Sequence, residues 1–196
     1  MRISCAQQWT SSAAIDLTIE ITYDGTTEDN ASNVRPITFH IQPFITNNQL
    51  REGIRLYRLR SDGNWERSKC DDGFGTGFGI FDDPPIPVNI GDEADEYADC
   101  FVSLYPGESW TTQRRVQNGE SWTSLPDDVE VGDKFKYVIK GAVVDWWNWG
   151  AKEQHRDTVV QLPCWIAGDV VEPKDNDGRP KLVVPKSNEV VFEFVG

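Results

Sequence analysis

Leu17, Ile19, Ile21 and Tyr23 alternate with Thr18, Glu20 and Thr22. Successive side chains of a strand point to opposite faces of its sheet, so this period of two marks a strand with one face in a core and one in water. An amphipathic helix instead places apolar residues three and four apart. No stretch of twelve or more residues in this chain does so. Phe135, Tyr137 and Ile139 repeat the alternation between Lys134, Lys136 and Lys140, and Val190, Phe192 and Phe194 repeat it between Val191, Glu193 and Val195.

The remaining strand candidates are shorter or less regular. They are Ile37–Ile45, where Pro43 implies an edge or a bulge, Ile54–Arg60, Phe101–Tyr105, Trp110–Val116, Val159–Trp165 and Lys181–Val184. Asp24-Gly25, Ser61-Asp62-Gly63-Asn64 and Pro106-Gly107 separate them as turns. Asp92–Asp99 has room for one or two helical turns. Short strands punctuated by Gly, Pro, Asn and Asp predict an all-β fold, an antiparallel two-sheet sandwich. Its 196 residues fit one domain, 1–196. Residues 69–97 form a long Gly-, Asp- and Pro-rich loop inserted in it, and loops of that length are often functional.

Apolar residues are only 38% of the chain, but eight Trp, nine Phe and five Tyr bury large areas each. The net charge of −13 repels phosphate backbones and anionic lipid, so neither nucleic acid nor a membrane surface is expected as a partner. No apolar run reaches the roughly 18 residues of a membrane helix. The first sixteen residues lack the apolar stretch of a signal peptide. A cytoplasmic protein is the expectation, with a secreted one whose leader has been removed as the alternative.

Cys5, Cys70, Cys100 and Cys164 contain no C-x-x-C pair, which argues against the usual zinc spacings. Four cysteines allow three pairings and the spacing does not choose among them; free, mostly buried thiols are the simplest reading. Asn30-Ala31-Ser32 is a glycosylation triplet, meaningful only in a secreted chain.

The most distinctive local feature is Asp145-Trp146-Trp147-Asn148-Trp149-Gly150. In an extended segment Trp147 and Trp149 share one face and Trp146 takes the other. Exposed and coplanar, the two indoles would stack on sugar rings or grip an apolar partner. Buried, they would plug the end of the sandwich. Gly73-Phe74-Gly75-Thr76-Gly77-Phe78-Gly79 is not a phosphate loop, because no helix follows to hold the anion and Asp82-Asp83 would repel it. It reads as a flexible loop presenting Phe74 and Phe78. Gly107-Glu108-Ser109-Trp110-Thr111 recurs as Gly119-Glu120-Ser121-Trp122-Thr123, two similar turn-to-strand junctions.

Asp175-Asn176-Asp177-Gly178 resembles the opening of a calcium loop. The Glu due at the twelfth place is Lys186, so this is no EF-hand. A looser calcium site on Asp175 and Asp177 is one reading, a turn chosen for its backbone the other. Ser109 and Ser121 have Thr where a nucleophile elbow needs its second Gly. Of the two histidines, His40 falls in a strand pattern and His155 in a charged, exposed-looking stretch. A hydrolase would need one of them to meet acidic loop residues in space.

The phrase Phe101-Val102-Ser103-Leu104-Tyr105-Pro106-Gly107-Glu108-Ser109 resembles a strand-and-turn of immunoglobulin-like sandwich modules. Similar phrases occur in the N-terminal region of fungal deuterolysin-type metalloproteases and in intracellular proteinase-inhibitor sandwiches. Arg51–Arg60 is loosely similar in position. The likeness covers about 60 residues. It implies an immunoglobulin-like fold and an accessory or inhibitory role. It implies no protease activity, because His-Glu-x-x-His is absent. The function expected is a non-enzymatic binding module for a protein, a protease among them, or a carbohydrate. It would use Trp146, Trp147 and Trp149 together with Phe74 and Phe78. A hydrolase and a purely structural domain are the alternatives.

Overall fold

The computed structural model describes residues 1–26, 34–45, 54–68, 84–116, 125–163, 170 and 178–196. Among them the chain is all-β. Two larger sheets carry the three strong alternation patterns. The first has the order β1 (Arg2–Ser4), β3 (Ile15–Thr22), β9 (Ser109–Val116). The second has the order β2 (Gln8–Trp9), β15 (Val190–Phe194), β10 (Lys134–Ile139), β5 (Ile54–Leu59), β6 (Trp65–Arg67). Every pairing is antiparallel except that of β2 with β15.

The inner faces of these sheets share one core. Ile3, Leu17, Ile19 and Val116 come from the first; Trp9, Leu56, Phe135, Tyr137, Phe192 and Phe194 come from the second. Phe192 is its hub, with ring centres 5.7 Å from Trp9, 5.7 Å from Phe135 and 5.2 Å from Tyr137. Burying such a ring contributes roughly 1.5–3 kcal/mol. Few core methyl groups are needed when aromatics supply the area.

The register exposes a less expected feature. Thr22, the end of β3, lies beside Ser109, the start of β9. Ile139, the end of β10, lies beside Ile54, the start of β5, and β6 and β15 meet the same end. Three long connections, residues 23–53, 68–108 and 140–189, therefore leave the two sheets at one end. Among the described residues they supply the other strands: β4 (Ile37–His40), β7 (Ile86–Asn89), β8 (Phe101–Leu104), β11 (Ala142–Val144), β12 (Trp147–Trp149), β13 (Val159–Leu162) and β14 (Leu182–Val184). These pair across connections, β12 with β4 with β8, β7 with β13, and β11 with β14.

The β12–β4–β8 sheet is buried on both sides. Ile37, Phe39 and Leu104 face one apolar cluster with Ile41, Phe44, Val144 and Val184, joined by Ile21 from β3. Phe101 faces the other, with Val88, Ile90, Trp146, Val160, Leu162 and Val170. At the exit from β10, Gly141 has φ of +123°, and a Cβ there would lie 2.7 Å from the Val184 carbonyl oxygen. Only glycine turns the chain this way and still lets β14 approach.

Two expectations need correcting. The strand expected over Ile37–Ile45 stops at His40, and Gln42–Ile45 forms one helical turn, α1. Pro43 is tolerated in a first helical turn, where no N–H is needed. The long loop expected over 69–97 contains strand β7, and residues 69–83 lie outside the described part. Its acidic run serves the backbone. Asp95 accepts the Asn89 and Tyr97 N–H groups at 2.9 and 3.0 Å, and Asp92 accepts that of Ala94 at 3.0 Å. Strands β1, β2, β6, β7, β11 and β12, of two to four residues, escaped the sequence reading, whereas β4, β8, β13 and β14 are as short but fall within expected strand segments.

Candidate binding site

Strand β12 puts Trp147 and Trp149 on one face, opposite Phe39 and Ile37 of β4, while Asn148 pairs with Thr38. The alternation expected from sequence holds. Trp147 and Trp149 are half-buried against the Ile37–Phe39 cluster. Trp146 is fully buried on the other side, edge-on to Phe101 at 5.3 Å and to His155 at 5.9 Å. Trp146, expected to share in binding, is thus a core residue here.

The two surface indoles are not coplanar. Their planes meet at 86° with ring centres 5.3 Å apart, the edge-to-face geometry that aromatic quadrupoles favour. A flat platform for a sugar ring, one of the two readings of the sequence, does not form between them. Two guanidinium groups cover the pair instead. Arg35 lies 4.8 Å from the Trp149 ring centre, and Arg179 lies 5.5 Å from Trp147 and 6.0 Å from Trp149. Arg179 Nε donates to Asn148 Oδ1 at 2.9 Å, and Trp147 Nε1 donates to the Pro180 carbonyl at 2.9 Å. The interleaved rings and cations fix the segment 178–180 to β12.

Exposed apolar side chains flank this group in sequence on both sides. Val143 of β11 and Val183 of β14 are register partners on the open face of a two-stranded ribbon, 41% and 70% exposed. Trp and Arg side chains gathered at a surface are of the kind enriched at interface centres. Sequence reasoning found the tryptophans. It missed Arg35 and Arg179, which lie 112 and 30 positions from the nearest residue of β12 and gave no local signal, and it did not single out Val143 or Val183.

The histidines lie elsewhere. His40 is fully buried, stacked on Phe101 with ring centres 5.1 Å apart. Its Nδ1 is 3.0 Å from Asp145 Oδ1, and Asp145 Oδ2 accepts the Val170 N–H. Burial raises a carboxyl pKa, but the His40 hydrogen bond and charge and the Val170 N–H outweigh it. Asp145 therefore titrates below its ordinary value of 3.8. His155 is buried as well, correcting the exposed position expected for it. The short helical turn Lys152–His155 tucks its ring against Trp146. A His beside a carboxylate has the chemistry of a catalytic pair, yet this pair is sealed from solvent and pins β4 to the third connection.

Ser109 Oγ is 2.8 Å from Thr22 Oγ1 across β3 and β9. Cys5 and Cys100 are free thiols, and burial pushes Cys5 up to about 11, so it is not a nucleophile at neutral pH. No three metal-binding side chains gather among the described residues. Phe74, Phe78, Asp175, Asp177, Cys70 and Cys164 lie outside them, as do the glycosylation triplet and the second Gly-Glu-Ser-Trp-Thr copy. No helix among them is long and apolar enough to cross a membrane. Compared with known protein families, curated proteins and solved structures, the chain matches none.

Proposed function

We propose that this chain is a non-enzymatic binding module that grips a protein partner with the surface around Trp147, Trp149, Arg179, Val143 and Val183. One observation carries the reading: two indoles at the surface are held at right angles beneath guanidinium groups, and the Val143–Val183 pair of the β11–β14 ribbon is exposed. Rigid aromatic and Arg side chains lose little entropy on binding and dominate interface energies. The right angle between the rings favours a protein surface with a notch over a flat sugar.

The immunoglobulin-like arrangement of the two larger sheets belongs to the same proposal. It is supported by their antiparallel orders, their common core, and the three connections leaving one end, the end at which such sandwiches carry binding loops. Phe74 and Phe78 fall in the second connection and are further candidate contacts. Calcium on Asp175 and Asp177 is also a proposal; saturating calcium should raise the melting temperature modestly, and no shift removes it.

The test of the main reading uses the immobilised full chain and a lysate of its source cells. Wild type should retain a protein that Trp147→Ala and Val183→Asp lose, while both variants keep the wild-type melt. Equal retention by wild type and both folded variants refutes the surface.

A further inference from the structure

A second aromatic–cation group occupies the outward face of the five-stranded sheet, away from the Trp147–Trp149 surface and independent of the reading above. Along β10, Phe135, Tyr137 and Ile139 are buried, so Lys134, Lys136 and Val138 point outward. The register carries this face across the sheet. Arg67, Tyr57, Lys136 and Val191 form one row from β6 to β15. In the next row Trp65 stands beside Leu59, and Lys134 beside Glu193. Arg55, paired with Val138, shares the face.

The Lys136 ammonium lies 4.8 Å from the Trp65 ring centre, 5.3 Å from that of Tyr57 and 3.0 Å from the Glu189 carboxylate. Its side chain is only 12% exposed. Its charge is already matched, so what it contributes is placement: it holds a phenol and an indole at the surface in fixed orientation. Lys134 and Arg67 are exposed to either side. Adjacent strands are about 4.8 Å apart, which separates them by roughly 10 Å across two strands. Among the described residues, the cations Arg55, Arg67, Lys134 and Lys136 outnumber the anions Glu189 and Glu193 on this face, in a chain whose net charge is −13.

We propose that this face binds a short acidic oligosaccharide, one built of uronic acid units. A pyranose ring presents C–H groups that pack on the half-buried Tyr57 and Trp65 rings. A carboxylate on a neighbouring unit meets Arg67 or Lys134, the sites of positive potential on an otherwise acid molecule. Single-stranded nucleic acid also stacks on aromatics, but it needs a groove of many cations following the backbone. Two exposed cations suit a ligand with one or two carboxylates.

The experiment is a calorimetric titration of trigalacturonate into the full chain at low ionic strength, with maltotriose and a thymidine oligonucleotide as comparisons. Saturable binding of trigalacturonate is expected, weakened by salt because exposed charges are screened. Trp65→Ala, which removes one stacking contact, should weaken it about tenfold. The surface double variant Arg67→Glu, Lys134→Glu should do at least the same, and it keeps the answer accessible if Trp65→Ala does not fold. Trp147→Ala should leave it unchanged. The proposal is overturned by absence of saturable binding, by equal affinity for maltotriose, by tighter binding of the oligonucleotide, or by loss of binding in Trp147→Ala alone.

Discussion

The core between the two larger sheets and the region built by the three connections solve the same problem differently. In the first, the buried side chains are apolar, and aromatic rings centred on Phe192 fill the space. The second is apolar in bulk, but it holds every buried polar side chain found among the described residues: Thr38, His40, Gln42, Asp145, His155 and Ser187. These join pieces that are remote in sequence. Thr38 Oγ1 is 2.7 Å from Ser103 Oγ and donates to the Gly150 carbonyl at 2.8 Å. Gln42 Nε2 donates to Cys100 Sγ at 3.2 Å, and Ser187 Oγ accepts the Ile139 N–H at 2.9 Å. Alternating strands find their register because a one-residue slip exposes the whole apolar face. Three long connections meeting at one end have no such period, and directional polar contacts supply the missing register. The proposed binding surface stands on this second region, so its geometry depends on those contacts.

Phe192→Ala attacks the first region and should have the largest effect, about 4 kcal/mol, from lost ring burial and the cavity left behind. Guanidinium denaturation measures it. A loss under about 1 kcal/mol means the ring cluster is not the hub described.

Asp145→Asn attacks the second region. It removes the charge that His40 meets and weakens the acceptor of the Val170 N–H, at a cost of about 3 kcal/mol. Hydrogen exchange should rise first in β4, β8 and β12, leaving β3 and β10 protected. Uniform exchange across both regions would mean that they unfold as one unit. The pH dependence sharpens the point. Asp145 titrates lower in the folded chain than its ordinary value, so the folded state binds fewer protons there. Its stabilisation is complete above the unfolded value of about 4 and is lost as pH falls through the lower folded one. Wild type minus Asp145→Asn should therefore shrink on acidification, and a difference constant down to acid pH removes this assignment.

Val183→Ser, at an exposed position, should change stability by less than about 0.5 kcal/mol. A larger loss in the melt would show that the Val143–Val183 ribbon is packed in solution and not available to a partner.

The strands most readable in advance were β3, β10 and β15, whose five to eight residues carry a full apolar period. The opposite facing of Trp146 against Trp147 and Trp149 was readable for the same reason. Of the short strands of the connections, β4, β8, β13 and β14 fell within expected segments, whereas β7, β11 and β12 did not, and neither did the helical turn at Pro43. Of the proposed binding surface, the indoles were visible in sequence, while the arginines above them and the exposed valine pair were not.

Sequence by itself determined that the chain makes sheets and which side of each long strand is apolar, because side-chain alternation is a property of the local backbone. Tertiary structure alone decided that three connections converge on one end. It also decided that His40 meets Asp145 from 105 positions away, that Trp146 is sealed while its neighbours reach the surface, and that the two indoles stand at right angles. Those outcomes rest on contacts between segments distant in the chain, and no window of consecutive residues contains both partners of such a contact.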